Sequence, residues 1–168
     1  RAWVRGGHRL FDRLARLSKP TIAALNGHAF GGGLELAAAC DIRVMAPEAT
    51  LALPETSVGI VPGWSGTQRL TRLLPEPVVK EMALFGARIK SDRALACGFV
   101  AAVGDDPRSL AEALLERAVT LSPRAVEIIV PGVKQGMTCS IPVKVIDPMT
   151  LPLESRNCTV PFSAFSGS

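Results

Sequence analysis

The fold is decided by the stretch Lys19-Pro-Thr-Ile-Ala-Ala-Leu-Asn-Gly-His-Ala-Phe-Gly-Gly-Gly-Leu-Glu-Leu-Ala-Ala-Ala-Cys-Asp-Ile-Arg43. Residues 21–25 are a short apolar run that ends at an Asn-Gly pair, which is typical of a buried strand followed by a turn. The glycine triplet at 31–33 leads into residues 34–40, a leucine- and alanine-rich segment that favours a helix. The stretch therefore predicts a strand, a glycine-rich turn and a helix in succession.

Outside this stretch, short apolar runs alternate with segments of helical period. Residues 8–18 place leucines and a phenylalanine at helical spacing with arginines between them, which predicts an amphipathic helix. Further strands are predicted at 41–46, 50–53 and 99–103, and further helices at 66–74, 77–85, 91–98 and 107–121, with one more beginning at Pro123. The alternation predicts an α/β protein without an internal repeat.

The composition is that of a globular protein. The 168 residues fit one domain, with 48% hydrophobic and 20% charged residues. No apolar run approaches the roughly 18 residues that a membrane-spanning helix needs. The four cysteines lie far apart, so we expect neither a disulfide framework nor a metal site. They favour a reducing compartment, and we do not expect secretion.

The net charge of +4 is unevenly distributed along the chain. Residues 1–19 carry +5, residues 131–168 carry +1 and the segment between them carries −2. A basic helix face is usually solvent-exposed, so we expect His8 in this helix to be exposed. No aromatic residues are interleaved for base stacking. A nucleic-acid partner is therefore not expected.

The last segment differs from the rest of the chain. Residues 131–168 hold five of the 13 prolines and eight serines and threonines, with no sustained period of either kind. We therefore predict a folded domain over 1–130 and an irregular or disordered Pro/Ser-rich tail over 131–168.

The glycine triplet is the first candidate for chemistry. At a helix start, the backbone N–H groups of Gly31, Gly32 and Gly33 lack partners within the helix, and the helix dipole adds positive potential there. A phosphate or the enolate oxygen of a thioester would be stabilised at that point. The alternative is a tight turn that needs small residues for packing.

Two glutamates are the second candidate. Glu35 lies in the first turn of the predicted helix between leucines, where apolar surroundings disfavour the charged form, as an acid or base near neutral pH requires. Glu55 follows a predicted strand, a common place for functional residues. The alternatives are a solvent-facing glutamate at a helix start and an ordinary loop acid. The spacing does not show that the two residues meet.

Together the motifs resemble the signature of the crotonase (enoyl-CoA hydratase/isomerase) superfamily. The resemblance rests on residues 19–43 and on Leu53-Pro-Glu-Thr-Ser-Val-Gly-Ile-Val-Pro-Gly63 followed by Gly66-Thr-Gln-Arg-Leu70, and it extends to about residue 129. It implies a crotonase-like ββα spiral, usually assembled as a trimer or hexamer. The chain is expected to be an incomplete member that lacks the N-terminal third and the usual C-terminal helices.

The resemblance also implies site residues and a reaction. Gly32 resembles an oxyanion-hole N–H donor within the triplet, Gly63 the glycine that positions water or the thioester region, and Glu35 and Glu55 the two catalytic glutamates. The implied reaction adds water across the 2,3 double bond of an enoyl-CoA, with no metal and no redox cofactor. The coenzyme A thioester is the substrate. The alternatives are an enoyl-CoA isomerase and a catalytically silent fragment that acts in binding or assembly.

One departure from the family pattern lies close to these residues. Trp64-Ser65 stands where the family usually has two small residues before Gly66. The large ring either narrows the acyl pocket or packs without effect on it.

Overall fold

The computed structural model describes residues 2–135. Helices alternate with short strands along the chain, as the sequence predicts. The α-helices are α1 (Ala2–Ala15), α2 (Gly32–Ala39), α3 (Gly66–Leu73), α4 (Glu76–Phe85), α5 (Ser91–Ala96), α6 (Pro107–Val119) and α7 (Pro123–Gln135). The strands are β1 (Ile22–Leu25), β2 (Ala29–Phe30), β3 (Ile42–Met45), β4 (Thr50–Ala52), β5 (Ile89–Lys90) and β6 (Ala102–Val103), and a 3₁₀ helix spans Pro54–Val58.

The described strands form two small sheets. In the first, β3 lies between β1 and β6, and both pairings are parallel. In the second, β4 pairs with β2 in parallel and with β5 in antiparallel orientation. Helix α2 connects β2 of the second sheet to β3 of the first, so the glycine-rich turn lies between the two sheets in the chain path.

A side-chain cluster aligns the first two strands of the parallel sheet. The carboxylate of Asp41 accepts hydrogen bonds from the backbone N–H and the hydroxyl of Thr21, both at 2.7 Å. The Thr21 hydroxyl in turn accepts from the Asp41 N–H at 3.0 Å. Because these bonds precede the pairing of Ile22 with Ile42, they set the register of β1 against β3.

Arg43 anchors the end of α2 to the core. It is only 6% exposed, and its guanidinium donates to the carbonyls of Phe99 (2.6 Å) and Cys40 (2.8 Å). The guanidinium also lies 4.8 Å from the centroid of the Phe99 ring, a cation–π distance. The carbonyls at the end of a helix lack intrahelical partners, so a buried cation there is stabilised.

The hydrophobic core lies between α2, α3, α4 and the second sheet. Its fully buried members include Leu34, Leu51, Leu53, Leu70 and Met82. Leu34 directly precedes Glu35, and Leu53 lies two residues before Glu55. The packing of these leucines therefore fixes the backbone that carries both glutamates.

The largest differences from the predicted boundaries are at the first and last of the described helices. Helix α1 begins at Ala2 rather than at residue 8. Helix α7 extends to Gln135, past the predicted start of the tail at 131. The remainder of the predicted tail, 136–168, lies outside the described residues. Within residues 2–135, no helix is long and apolar enough to cross a membrane.

Candidate active site

Glu35 is a buried carboxylate in the first turn of α2. Its exposure is 2%, which shows that the side chain points into the protein and not to solvent, the alternative that its sequence position left open. The helix begins without a side-chain cap, and Gly31 at its N-cap has a φ of 50°. No side chain among the described residues therefore accepts a hydrogen bond from the first N–H groups of α2.

One oxygen of Glu35 is held by the backbone that leads into α3. Its Oε1 accepts hydrogen bonds from the N–H of Trp64 (2.9 Å) and of Gly66 (2.7 Å). Two donors on one oxygen fix the rotation of the carboxylate. The second oxygen, Oε2, is thereby given a defined direction in which it can contact a ligand.

Glu55 is the second buried carboxylate. It lies in the 3₁₀ helix that follows β4, and its exposure is 7%. Its Oε2 is fully buried and has no hydrogen-bond partner among the described residues. Burial raises the pKa of Glu55 above its ordinary value, and the charge of Glu35 raises it further. The fold thus brings the two predicted glutamates close enough for the charge of one to act on the other, which their spacing alone could not show.

The glycine triplet provides room for this arrangement. A Cβ at Gly31 would lie 2.6 Å from Oε1 of Glu55, too close for any substituent. The Gly31 N–H already donates to the carbonyl of Ala52 at 3.0 Å, because the turn pairs with the end of β4. This corrects the expectation that Gly31 offers an N–H to a ligand: the residue leaves space for Glu55 instead.

Gly32 is the first residue of α2, so its N–H has no acceptor within the helix. A Cβ at this position would lie 2.5 Å from Cζ3 of Trp64. The same indole meets α1 at its other end, where a Cβ on Gly7 would lie 2.0 Å from Nε1. Trp64 therefore lies between α1 and the start of α2, where its ring also packs against Trp3 and Phe11.

Gly63, the third glycine that the sequence singles out, precedes Trp64 in the loop between the 3₁₀ helix and α3. Its nearest neighbours beyond the adjacent residues are the carbonyl of Val61 and Cγ2 of Val4, at 3.9 and 4.0 Å from an added Cβ. These are ordinary contact distances. Space alone does not require glycine at this position.

Sequence reasoning missed one polar contact beside the site. His8 was expected to be exposed in the basic helix, yet it is half-buried and its Nδ1 shares a 2.5 Å hydrogen bond with the hydroxyl of Ser65. The two residues are 57 positions apart, so no local pattern could have linked them. Among residues 2–135, no three histidine, cysteine, aspartate or glutamate side chains cluster in a way that could hold a metal ion.

Two buried glutamates thus lie beside the uncapped start of α2. The sequence matches the family model described as Enoyl-CoA hydratase/isomerase over residues 4–139. The chain therefore belongs to the enoyl-CoA hydratase/isomerase family.

Individual relatives agree with this assignment. The chain is 39% identical over 137 residues to a short-chain-enoyl-CoA hydratase of Clostridium acetobutylicum, a match that covers 80% of this chain and 52% of the relative. It is 44% identical over 119 residues to a carnitinyl-CoA dehydratase of Escherichia coli K12, a match that covers 67% of this chain and 46% of the relative. Among solved structures, DspI of Pseudomonas aeruginosa superimposes with a TM-score of 0.78 at 38% identity, over 80% of this chain and 52% of that one.

The structural likeness confirms the predicted α/β, crotonase-like fold. The chain spans about half the length of the curated relatives it matches.

Proposed function

We propose that this chain carries the acid–base centre of an enoyl-CoA hydratase, which adds water across the 2,3 double bond of a trans-2-enoyl-CoA. The observation that carries the proposal is the pair of buried carboxylates: Glu35 is oriented by two backbone N–H groups, and Glu55 has an unpartnered buried oxygen. Relatives named short-chain-enoyl-CoA hydratase and carnitinyl-CoA dehydratase support a reaction that adds or removes water on an acyl-CoA.

The geometry suggests a division of labour between the two glutamates. Oε1 of Glu35 is occupied, so Oε2 is the oxygen that can hold and deprotonate the attacking water. Burial raises the pKa of Glu55, which favours its protonated form, and this residue is the one we assign to deliver a proton to C2. Glu35 takes the proton as one O–H bond of water breaks, the C3–O bond forms as the π bond between C2 and C3 breaks, and C2 takes the proton that Glu55 gives up.

The start of α2 is suited to the charge that develops on the thioester oxygen. As water adds at C3, electron density moves onto that oxygen before C2 is protonated. The N–H of Gly32 and the helix dipole would stabilise it there. Neither a metal ion nor a redox cofactor is part of this proposal, and the acyl-CoA is the substrate partner.

The test is hydration of crotonyl-CoA by the purified 168-residue chain, followed as loss of the enoyl-thioester absorbance. Replacement of either glutamate, in Glu35→Gln or Glu55→Gln, should lower kcat by about 10²–10⁴-fold, the usual contribution of a general acid or base. The matched control is Glu48→Gln, which makes the same change at an exposed position before β4. Equal activity in all three variants would contradict the proposed site.

A second candidate function is binding or assembly without catalysis. It is favoured by large apolar side chains exposed next to the site, with Val58, Ile60 and Val61 following Glu55 and with Leu84 and Phe85 at the end of α4. A folded chain that assembles into a trimer or hexamer in analytical ultracentrifugation but turns over no enoyl-CoA would support this function. Conversion of a 3-enoyl-CoA to the 2-enoyl isomer without hydration would instead indicate an isomerase.

A further inference from the structure

Ser65 has an unusual backbone conformation for its residue type. Its φ of 69° lies in the left-handed region, and among residues 2–135 it is the only residue other than glycine with a positive φ. A side chain disfavours this conformation, which glycine adopts freely. An interaction elsewhere must therefore stabilise the turn, and strained residues of this kind are concentrated at functional sites.

The turn at Ser65 positions one of the two glutamates. The residues on either side of it, Trp64 and Gly66, supply the two N–H groups that bind Oε1 of Glu35. Both donors can reach the same oxygen because the left-handed residue between them reverses the chain. The orientation of the carboxylate thus depends on the conformation of Ser65.

Helix α1 holds this turn from the outside. The 2.5 Å hydrogen bond between the Ser65 hydroxyl and Nδ1 of His8 is the direct contact. One helical turn further along, Asp12 forms an ion pair with Arg69, which also donates to the carbonyl of Trp64 at 3.0 Å. The two contacts attach α1 to Ser65 directly and to Trp64 through Arg69.

We propose that His8 is a positioning residue for the reaction and acts on Glu35 through Ser65. By holding the Ser65 hydroxyl, His8 keeps the left-handed turn in place and so keeps the two N–H donors on the carboxylate. This inference rests on the proposed hydratase function for its kinetic consequence, but the positioning itself can be observed without turnover.

The test measures substitutions at His8 in two proteins, one with serine and one with glycine at residue 65. His8→Leu removes the hydrogen bond and should lower kcat for crotonyl-CoA hydration about tenfold with little change in KM, because a misdirected carboxylate impairs the chemical step. His8→Asn keeps a polar atom bonded to Cγ, as Nδ1 is, and should restore most of the rate. His8→Gln places its amide one bond further out and should not. The control is Arg9→Leu, an exposed neighbour on the same helix.

The decisive background is Ser65→Gly. Glycine adopts the left-handed conformation without help, so His8→Leu should cost less than twofold in kcat when residue 65 is glycine. A tenfold loss in both backgrounds would overturn the proposal, since His8 would then act by some other route. No loss in either background would overturn it as well.

An activity-independent measurement separates this inference from the proposed function. Amide protons that donate to a carboxylate are shifted downfield in NMR spectra, and the resonances of Trp64 and Gly66 report directly on the contact with Glu35. They should move upfield in His8→Leu and return in His8→Leu/Ser65→Gly. If the wild-type chain shows no hydration, the proposed function fails, and these two resonances still decide the role of His8. Unchanged resonances in His8→Leu would refute it.

Discussion

Gly66 and Glu35 are in contact at a distance that only glycine permits. The Gly66 N–H donates to Oε1 of Glu35 at 2.7 Å, and a Cβ on Gly66 would lie 2.2 Å from Cγ of the same glutamate. The residue that supplies a hydrogen bond therefore also supplies the space in which the side chain lies.

Gly66→Ala is expected to displace Glu35 and lower hydratase activity by about 10²-fold, the scale that a misplacement of about 1 Å produces. The crotonyl-CoA assay measures the loss, and chemical denaturation measures the accompanying drop in the free energy of unfolding. The control is Gly6→Ala within α1, where an added Cβ meets no atom within 4 Å. That variant should keep its activity and gain about 0.5–1 kcal/mol, because alanine favours the helix. Full activity in Gly66→Ala would contradict the role assigned to this contact.

Arg43 provides a prediction about stability. Its buried guanidinium donates to the carbonyls of Phe99 and Cys40, and both would lose a partner in Arg43→Met. We expect a loss of about 2–4 kcal/mol in the free energy of unfolding, since a buried acceptor left without a donor costs about 1–3 kcal/mol and the part-buried carbonyl of Cys40 adds a smaller cost. Urea denaturation followed by circular dichroism measures it. Arg72→Met, at an exposed position on α3, should change stability by less than about 0.5 kcal/mol.

The local parts of the site could be predicted from the sequence, but which of these parts come into contact depends on tertiary structure. The glycine triplet correctly predicted a helix start with Glu35 in its first turn, because turn and helix signals act over a few residues. The contact between the Glu35 carboxylate and the N–H of Gly66 joins residues 31 positions apart, which no periodicity records. Strands β2 and β5 were missed because two residues each are too few to show a period.

Errors at single residues have the same origin. Gly31 was predicted to offer its N–H to a ligand because its place before a helix suggests a free donor. In the fold that N–H pairs with Ala52 on a strand that lies later in the chain. His8 was placed on an exposed face because arginines surround it, and only the packing of α1 against the Ser65 turn shows that it is half-buried.

The raised pKa of Glu55 leads to a prediction about pH. A carboxyl group whose pKa is higher in the folded state than in the unfolded state stabilises the fold fully below the unfolded value, 4.5, and this contribution is lost as the pH rises through the raised value. Glu55→Gln removes the titration. The stability of the variant relative to wild type should therefore increase as the pH rises above 4.5, as measured by urea denaturation between about pH 2 and 8.

Glu81→Gln is the contrasting variant in that series. Its hydrogen bond with Arg93 lowers the pKa of Glu81, so the stabilising contribution is present above 4.5 and is lost as the pH falls through the lowered value. The free energy of unfolding should therefore be lower in Glu81→Gln than in wild type above pH 4.5, and this difference should shrink toward acid pH. The stability of Glu81→Gln relative to wild type thus falls as the pH rises, whereas that of Glu55→Gln increases. A parallel trend in the two series would mean that the pH dependence does not come from these carboxyl groups.

Two substitutions at Trp64 can separate the contribution of ring packing to stability from that of the indole N–H. The indole lies 4.5 Å from the ring of Trp3 and 5.3 Å from that of Phe11, while its Nε1 is buried without a hydrogen-bond partner among the described residues. Trp64→Ala removes the ring between α1 and α2 and should cost about 3 kcal/mol. Trp64→Phe keeps an aromatic ring and removes the unpartnered N–H. The smaller ring buries less apolar area, which lowers stability, but the cost of burying an N–H without an acceptor is also removed. The two effects partly cancel, so the net cost should be about 1 kcal/mol or less. Thermal unfolding of the two variants measures the difference. Equal losses would show that the N–H is satisfied in solution and that the indole contributes through its polar atom as well as its ring.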